Sequence, residues 1–462
     1  MNSLKVDQFY TRCLAQGAYY IVSDNEAIII DPLRETEPYL SRLEADGVKL
    51  KYIFETHFHA DFVSGHVDLS KATGAPIVYG PGAVTSFESI VAKDDQVFNF
   101  GSSTIKLLHT PGHTLESSVL VLITNEQEEI AAFTGDTLFI GDVGRPDLAQ
   151  NSQVTKEDLA GMLFDSLRNK VMTLPADIII YPAHGAGSAC GKNMSDETSS
   201  TLAEQLQTNY ALRADMTKQE FIREVLHEMP APPSYFEHNI KLNKEGFSDF
   251  NNVNSRDNKA LKIEEFESLS KQPNTIILDT RDPSEYYKAS IPGSLNIGLN
   301  GDFAPWVGTI LADVNQDILL ICDSDKAEES IMRLRRVGFD RVLGFLQGGI
   351  ENWKNAGKAT EHVHRITPEQ LLKIQSESPL KIIDVRKETE YNNSHIPEAV
   401  NCPLHLIQEW SDELDSKIPF AIHCAGGFRS MIASSILKAK GIHNFYEVEG
   451  GYKALSSILI QA

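Results

Sequence analysis

Positive charge, pairable cysteines and long apolar runs are all scarce in this chain of 462 residues. Its 42 lysines and arginines face 64 aspartates and glutamates, for a formal net charge of −22. That excess argues against nucleic acid or an anionic membrane surface as partner, because both would be repelled. Any anionic substrate must be drawn in by local arginines. No apolar run approaches the ~20 residues needed to span a bilayer. The opening MNSLKVDQFYTRCLAQG lacks the basic and then apolar pattern of a signal peptide, so a cytoplasmic protein is expected. The five cysteines (Cys13, Cys190, Cys322, Cys402 and Cys424) are odd in number, widely spaced and without a CxxC pair. They argue against a disulfide framework or zinc knuckle and for individual thiols in a reducing compartment.

What is present is ordinary globular composition, 42% hydrophobic and 23% charged, at a length that suggests roughly three domains. Up to about residue 190 one pattern recurs: an apolar run, then a turn carrying His or Asp. YIF precedes 55-ETHFHAD-61, IKLL precedes 109-HTPGH-113, IAAF precedes 134-TGD-136, and DIII precedes 181-YPAH-184. Short β-rich runs bounded by Gly and Pro read as strands. Residues of about 195–229 read as helical, 230-PAPP-233 ends the last helix, and the polar 251-NNVNSRDNK-259 reads as a linker.

The remainder repeats itself over about 100 residues: 276-IILDTRDPSEYYKASIPGSLNI-297 returns as 381-KIIDVRKETEYNNSHIPEAVNC-402. Asp279, Arg281, Tyr286 and Asn296 recur as Asp384, Arg386, Tyr391 and Asn401. Strands alternating with helical patterns in each copy predict small α/β domains with parallel sheets.

Six candidate ligands, His57, His59, Asp61, His113, Asp136 and His184, each follow a strand in a tight loop. The set THFHAD, TPGHT, TGD and PAH resembles the metallo-β-lactamase superfamily. That resemblance implies an αββα sandwich, expected over residues 1–250, with a metal at one edge. The run 134-TGDTLFIGDVGRPDL-148 is similar to the persulfide dioxygenase branch rather than the glyoxalase II thioesterase branch. It implies one Fe(II) held by His57, His113 and Asp136, with His59, Asp61 and His184 orienting the ligands or a bound water. Phe62 stands where two-metal relatives place a further histidine, which favours one metal. Arg145 is read as a clamp for a substrate carboxylate, with a structural pair to Asp142 or Asp147 as the alternative. Cys190, in the Gly-rich 183-AHGAGSACGK-192, is read either as a catalytic thiol beside the metal or as small-residue packing.

IIDVR…EY…HIP…N followed by 423-HCAGGFRS-430 resembles the rhodanese family, expected over 363–462, with a degenerate copy over 258–358. That resemblance implies that Cys424 opens the loop as the catalytic sulfur, with Gly426, Gly427, Phe428 and Ser430 around the bound sulfur. Arg429 supplies positive charge for sulfite or thiosulfate. In the first copy, 321-ICDSDKAEES-330, Ala327 replaces the arginine, and Asp323 and Asp325 flank Cys322. Carboxylates there would raise the thiol pKa and repel anions. Together these readings predict an α/β multidomain enzyme that oxidises a low-molecular-weight thiol persulfide with O2 to sulfite. A coupled sulfurtransferase would act on sulfite and thiosulfate, and the chain is expected to form a homo-oligomer. The alternative is a zinc thioester hydrolase of the glyoxalase II type with rhodanese carrier modules.

Overall fold

A computed structural model describes residues 4–459 except 151, 193, 230, 248–258, 312 and 416. The proposed linker at 251–259 therefore falls, but for Lys259, outside the described residues, as does Pro230. The chain forms two compact units, residues 1–253 with 335–338, and residues 254–334 with 339–462.

The first unit contains two six-stranded mixed sheets. One runs β1 (Lys5–Thr11), β2 (Gln16–Ser23), β3 (Glu26–Ile30), β4 (Lys49–Phe54), β5 (Ile77–Tyr79) and β6 (Ile90–Val91), in that spatial order. The other runs β7 (Val97–Phe100), β8 (Ser103–His109), β9 (Ser118–Ile123), β10 (Glu129–Gly135), β11 (Ile179–Pro182) and β12 (Ser200–Thr201).

Period-two patterning explains why the sheets stack. Side chains alternate between faces along a strand. In β2, Tyr19 and Ile21 join Phe54, Leu120, Leu122 and Phe133 in the core between the sheets. Ala18, Tyr20 and Val22 face the other way, toward Tyr39 and Leu43 of the helix Glu37–Asp46. In β9, Leu120 and Leu122 face inward while Val119 and Val121 pack with Leu163 and Leu167 of the helix Lys156–Asn169. Both faces of each central strand are thus apolar, and the layers come out as helix, sheet, sheet, helix.

The Lys156–Asn169 helix starts at a Thr155–Asp158 capping box and buries Leu159, Leu163 and Leu167 at intervals of four. Its backbone lies so close to Gly112, at φ +150°, that a Cβ there would stand 2.4 Å from the Leu163 Cα. Only glycine lets the TPGH turn sit against this helix, and that turn carries His113.

The second unit holds two five-stranded parallel sheets of identical order. The first uses β13 (Ala260–Leu261), β14 (Thr275–Asp279), β15 (Leu295–Asn296), β16 (Asp317–Ile321) and β17 (Val342–Leu346), arranged β13-β17-β16-β14-β15. The second uses β18 (Arg365–Ile366), β19 (Lys381–Asp384), β20 (Ala399–Asn401), β21 (Phe420–His423) and β22 (Phe445–Val448), arranged β18-β22-β21-β19-β20.

The repeated residues form a clasp. Arg281 grips Asp279 through Nε (2.9 Å) and Nη2 (2.5 Å), and Arg386 grips Asp384 in the same way. Asn296 Nδ2 donates to the carbonyls of Asp279 and Arg281, and Asn401 Nδ2 to those of Asp384 and Arg386. Tyr286 and Tyr391 hydroxyls donate to the Ser294 and Ala399 carbonyls. Each set satisfies buried polar groups where β14 or β19 ends.

Phe133 is 1% exposed, with ring centroids 4.8 Å from Tyr19 and 5.4 Å from Tyr181. Phe133→Ala should cost about 3–5 kcal/mol through lost burial and a residual cavity. The check is a lowered urea midpoint for the transition that includes the first unit.

Candidate metal centre and thiol loop

Neighbouring strand ends of the first unit converge on one buried cluster. β4 leads into His57, β8 into His113, β10 into Asp136 and β11 into His184. Ligand atoms of His57, His113 and Asp136 lie within 4.8 Å of one another. Nε2 of His113 is 3.4 Å and Nε2 of His57 3.9 Å from Oδ2 of Asp136.

Hydrogen bonds on the far side of each ring set its tautomer. Thr56 donates its hydroxyl hydrogen to Asp31 Oδ2 (2.8 Å), so toward His57 Nδ1, 2.9 Å away, it can only accept. His113 Nδ1 likewise donates to the Arg145 carbonyl (2.8 Å). Both rings are left with an unprotonated Nε2 aimed inward. Burial, then the neighbouring histidines His59, His113 and His184, push His57 well below its ordinary pKa. Burial also lowers His113, against the pull of Asp136. Nε2 of His113 and both Asp136 oxygens are buried without a hydrogen-bond partner among the described residues. Uncompensated acceptors of this kind are costly unless a cation joins them. Two neutral imidazoles and a carboxylate therefore fit a divalent metal.

A second trio, His59, Asp61 and His184, meets the same distance limit, and His184 Nε2 lies 3.6 Å from the other Asp136 oxygen. His59 also meets two carboxylates outside that trio. Its Nε2 stands 3.1 Å from Asp31 and 3.4 Å from Glu55. Burial would lower the pKa of His59, but the adjoining Asp31 and Glu55 carboxylates prevail and raise it to about 9. The Phe62 ring is fully buried, 4.3 Å from the His59 ring and tilted by 33°. A side chain without a lone pair thus occupies the flank of the second trio.

Cys190 Sγ lies within 4.8 Å of Asp136 and His184 ligand atoms. Burial, then Asp61 and Asp136, push its pKa well up, so it faces the cluster as a thiol. Arg145 is committed elsewhere. It makes a bidentate pair with Asp147 (2.7 and 2.8 Å) and donates to the Ala189 carbonyl. Of the two sequence readings, the pair with Asp147 is the contact present, and a substrate carboxylate would have to displace it. Gly144 keeps this loop close, since a Cβ there would stand 2.0 Å from the Asp136 carbonyl oxygen.

In the second unit β21 delivers Cys424, which is 2% exposed. Gly427, at φ +111°, donates its N–H to Sγ (3.1 Å), and Ser430 Oγ is 3.5 Å from the same sulfur. The helix Phe428–Ala439 begins immediately after, its N-terminus beside the sulfur. Gly426 is open to solvent, whereas Phe428 turns its ring onto Gly301 of the first copy. Arg429 is paired bidentately with Glu390 (2.5 and 2.8 Å). In the first copy, burial together with Asp279, Asp323 and Asp325 lifts the Cys322 thiol to about 12. That thiol is a poor nucleophile at neutral pH.

The sequence reading missed Asp31, and it quoted Thr56 and Glu390 without a role. Asp31 obeys the very rule that found the others, following the apolar run AIII.

The metallo-beta-lactamase superfamily matches residues 12–184, and the rhodanese-like domain matches 262–356 and 367–457. Mitochondrial persulfide dioxygenase ETHE1 of Homo sapiens is 34% identical over 170 residues, 36% of this chain and 62% of that protein. The chain thus spans about three fifths of that relative's length. Hydroxyacylglutathione hydrolase GloC of Haemophilus influenzae is 31% identical over 191 residues, 37% of this chain and 84% of that protein. A metallo-beta-lactamase crystal structure from Staphylococcus aureus subsp. aureus COL superposes with a TM-score of 0.66 at 30% identity. That match covers 75% of this chain and 99% of the other. The chain belongs to the metallo-beta-lactamase superfamily and joins that fold to two rhodanese-like domains.

Because Phe62 fills the flank of the second trio, Phe62→His should raise the amount of metal bound per chain. Metal analysis after removal of loosely bound ions reads this directly.

Proposed function

We propose that the first unit is a non-heme Fe(II) persulfide dioxygenase and that the last rhodanese-like domain is its sulfurtransferase partner. The observation that carries this reading is the trio His57, His113 and Asp136: two neutral Nε2 atoms and a carboxylate, with Phe62 packed against His59 of the neighbouring trio. It is supported by the likeness to human persulfide dioxygenase and by the run 134-TGDTLFIGDVGRPDL-148. Two histidines and one carboxylate would hold Fe(II) with open positions, supplying redox activation of O2 beside a soft sulfur anion.

The protein's own groups do the rest. Thr56 and the Arg145 carbonyl hold the two imidazoles in the ligating tautomer. His184, between Asp61 (3.5 Å) and Asp136 (3.6 Å), can hold or release a proton at Nε2 as water adds to the oxidised sulfur. Cys190 offers a protonated thiol on the same side. The net reaction is R–S–SH + O2 + H2O → R–SH + SO3²⁻ + 2 H⁺. Cys424, as Cys424–S–S⁻, would then pass its outer sulfur to sulfite, giving thiosulfate and the Cys424 thiolate. The Gly427 N–H and the helix N-terminus would stabilise either anion. Arg429 would reach substrate by exchanging Glu390 for sulfite.

A second reading, a zinc thioesterase, draws on the likeness to hydroxyacylglutathione hydrolases and on the trio His59, Asp61 and His184. Oxygen separates the two. Anaerobically purified protein should contain about one iron per chain and consume O2 when a thiol persulfide is added. Stoichiometric zinc, with thioester hydrolysis that continues without oxygen, would establish the second reading instead. Cys424→Ser should leave sulfite formation intact and abolish thiosulfate, whereas Cys322→Ser should change neither. Ion chromatography of the products distinguishes the cases.

A further inference from the structure

Beyond the sulfur-transfer loop lies a buried carboxylate that the proposed chemistry does not use. Glu447, in β22, has a fully buried side chain. Its Oε1 accepts from the Ser430 hydroxyl at 2.7 Å, and its Oε2 accepts from Arg365 Nε at 2.7 Å. The same Ser430 Oγ is 3.5 Å from Cys424 Sγ. One hydroxyl therefore joins a buried carboxyl to the reactive thiol.

The first copy serves as an internal control. β18 pairs Arg365 with Glu447, and at the equivalent place β13 pairs Ala260 with Phe345. Glu328 stands where the second copy has Ser430, and Ala327 where it has Arg429. Ion pair, hydroxyl link and loop arginine are thus all missing from the copy whose thiol is held protonated. A buried Arg–Glu pair is weak evidence for stability, because desolvation offsets the attraction. Phe345 shows that an apolar side chain fills the same strand position.

We infer that Glu447 is a positioning residue that takes up and returns the Cys424 proton through Ser430, an inference resting on the sulfur-transfer reading of Cys424. In the resting state Glu447 is a carboxylate, Ser430 O–H donates to it, and Cys424 S–H donates to Ser430 Oγ. When the proton shifts along this line, Glu447 becomes a carboxylic acid donating to Ser430. The Ser430 O–H then donates to a Cys424 thiolate. One proton has left sulfur and one has reached Oε1, with no change in oxidation state. The thiolate attacks the outer sulfur of R–S–SH, the donor's S–S bond breaks, and Cys424–S–SH forms as R–S⁻ leaves. The proton held on Glu447 then passes through Ser430 to that thiolate, giving R–SH and restoring the carboxylate. The sum is Cys424–SH + R–S–SH → Cys424–S–SH + R–SH.

Burial raises the Glu447 pKa to about 7 despite Arg365 and the Ser430 hydrogen bond, which suits a group that both accepts and gives a proton near neutrality. Glu449, on the same chain segment, raises the value further. His423, on the adjoining strand, is directed toward Asp384 (3.9 Å), and Arg429 is held by Glu390.

The test is the pH profile of Cys424 alkylation by iodoacetamide in the full-length protein, read at the Cys424 peptide by mass spectrometry. It needs no sulfur donor, so its outcome stands apart from whether Cys424 transfers sulfur. The wild type should show two inflections, the lower near pH 7. In Glu447→Gln and in Ser430→Ala the lower inflection should vanish, leaving a rate that falls about tenfold per pH unit below a single midpoint. If Glu447→Gln keeps both inflections, or merely scales the rate at every pH, the inference is overturned. Should the lone amide leave Arg365 unpaired and the protein misfolded, Arg365→Gln/Glu447→Gln removes both charges and is judged by the same profile.

Discussion

The chemistry open to the first unit depends on one hydrogen bond above all, the one Thr56 accepts from His57. Thr56 can accept only because Asp31 takes its hydrogen, and Asp31 is in turn fixed by the Thr56 backbone N–H at 2.8 Å. Were the ring flipped to the other tautomer, a buried N–H would point at Asp136 and no lone pair would face the cluster. The Arg145 carbonyl does the same for His113. A chain with 64 carboxylates meets its metal with neutral imidazoles because burial, more than any ion pair, sets their protonation.

The same carboxylate logic separates neighbours that look alike in sequence. His57 and His59 are two residues apart, yet one is pushed toward neutrality and the other, between Asp31 and Glu55, is raised to about 9. Cys322 and Cys424 close equivalent strands, yet three aspartates surround the first while a backbone N–H and a serine meet the second. In both pairs the environment assigns the roles. The Glu390–Arg429 pair extends the pattern: a carboxylate holds the cation ready in an otherwise acidic protein.

Much of the architecture was readable in advance because its causes are local. Alternating apolar residues bounded by Gly and Pro mark strands, and the repeat of D-x-R, Y and N marks two copies of one α/β module. The six candidate ligands were legible for the same reason, since each follows an apolar run directly. Sequence separation hid the rest. Asp31 lies 25 residues before Thr56, and Glu447 lies 17 beyond Ser430. Arg145 was ambiguous because both its readings need only a nearby carboxylate, and distance alone chooses Asp147.

By itself, then, the sequence determined the layers, the duplicated module, the candidate ligands and the position of the candidate reactive thiol, all features carried by short-range pattern. Tertiary structure decided which imidazole nitrogen is free, which histidine is held by carboxylates, and which carboxyl shares a hydroxyl with Cys424. Those outcomes depend on atoms meeting across strands at about 3 Å, where a single hydrogen bond fixes a proton's place. No spacing along the chain encodes a contact of that kind.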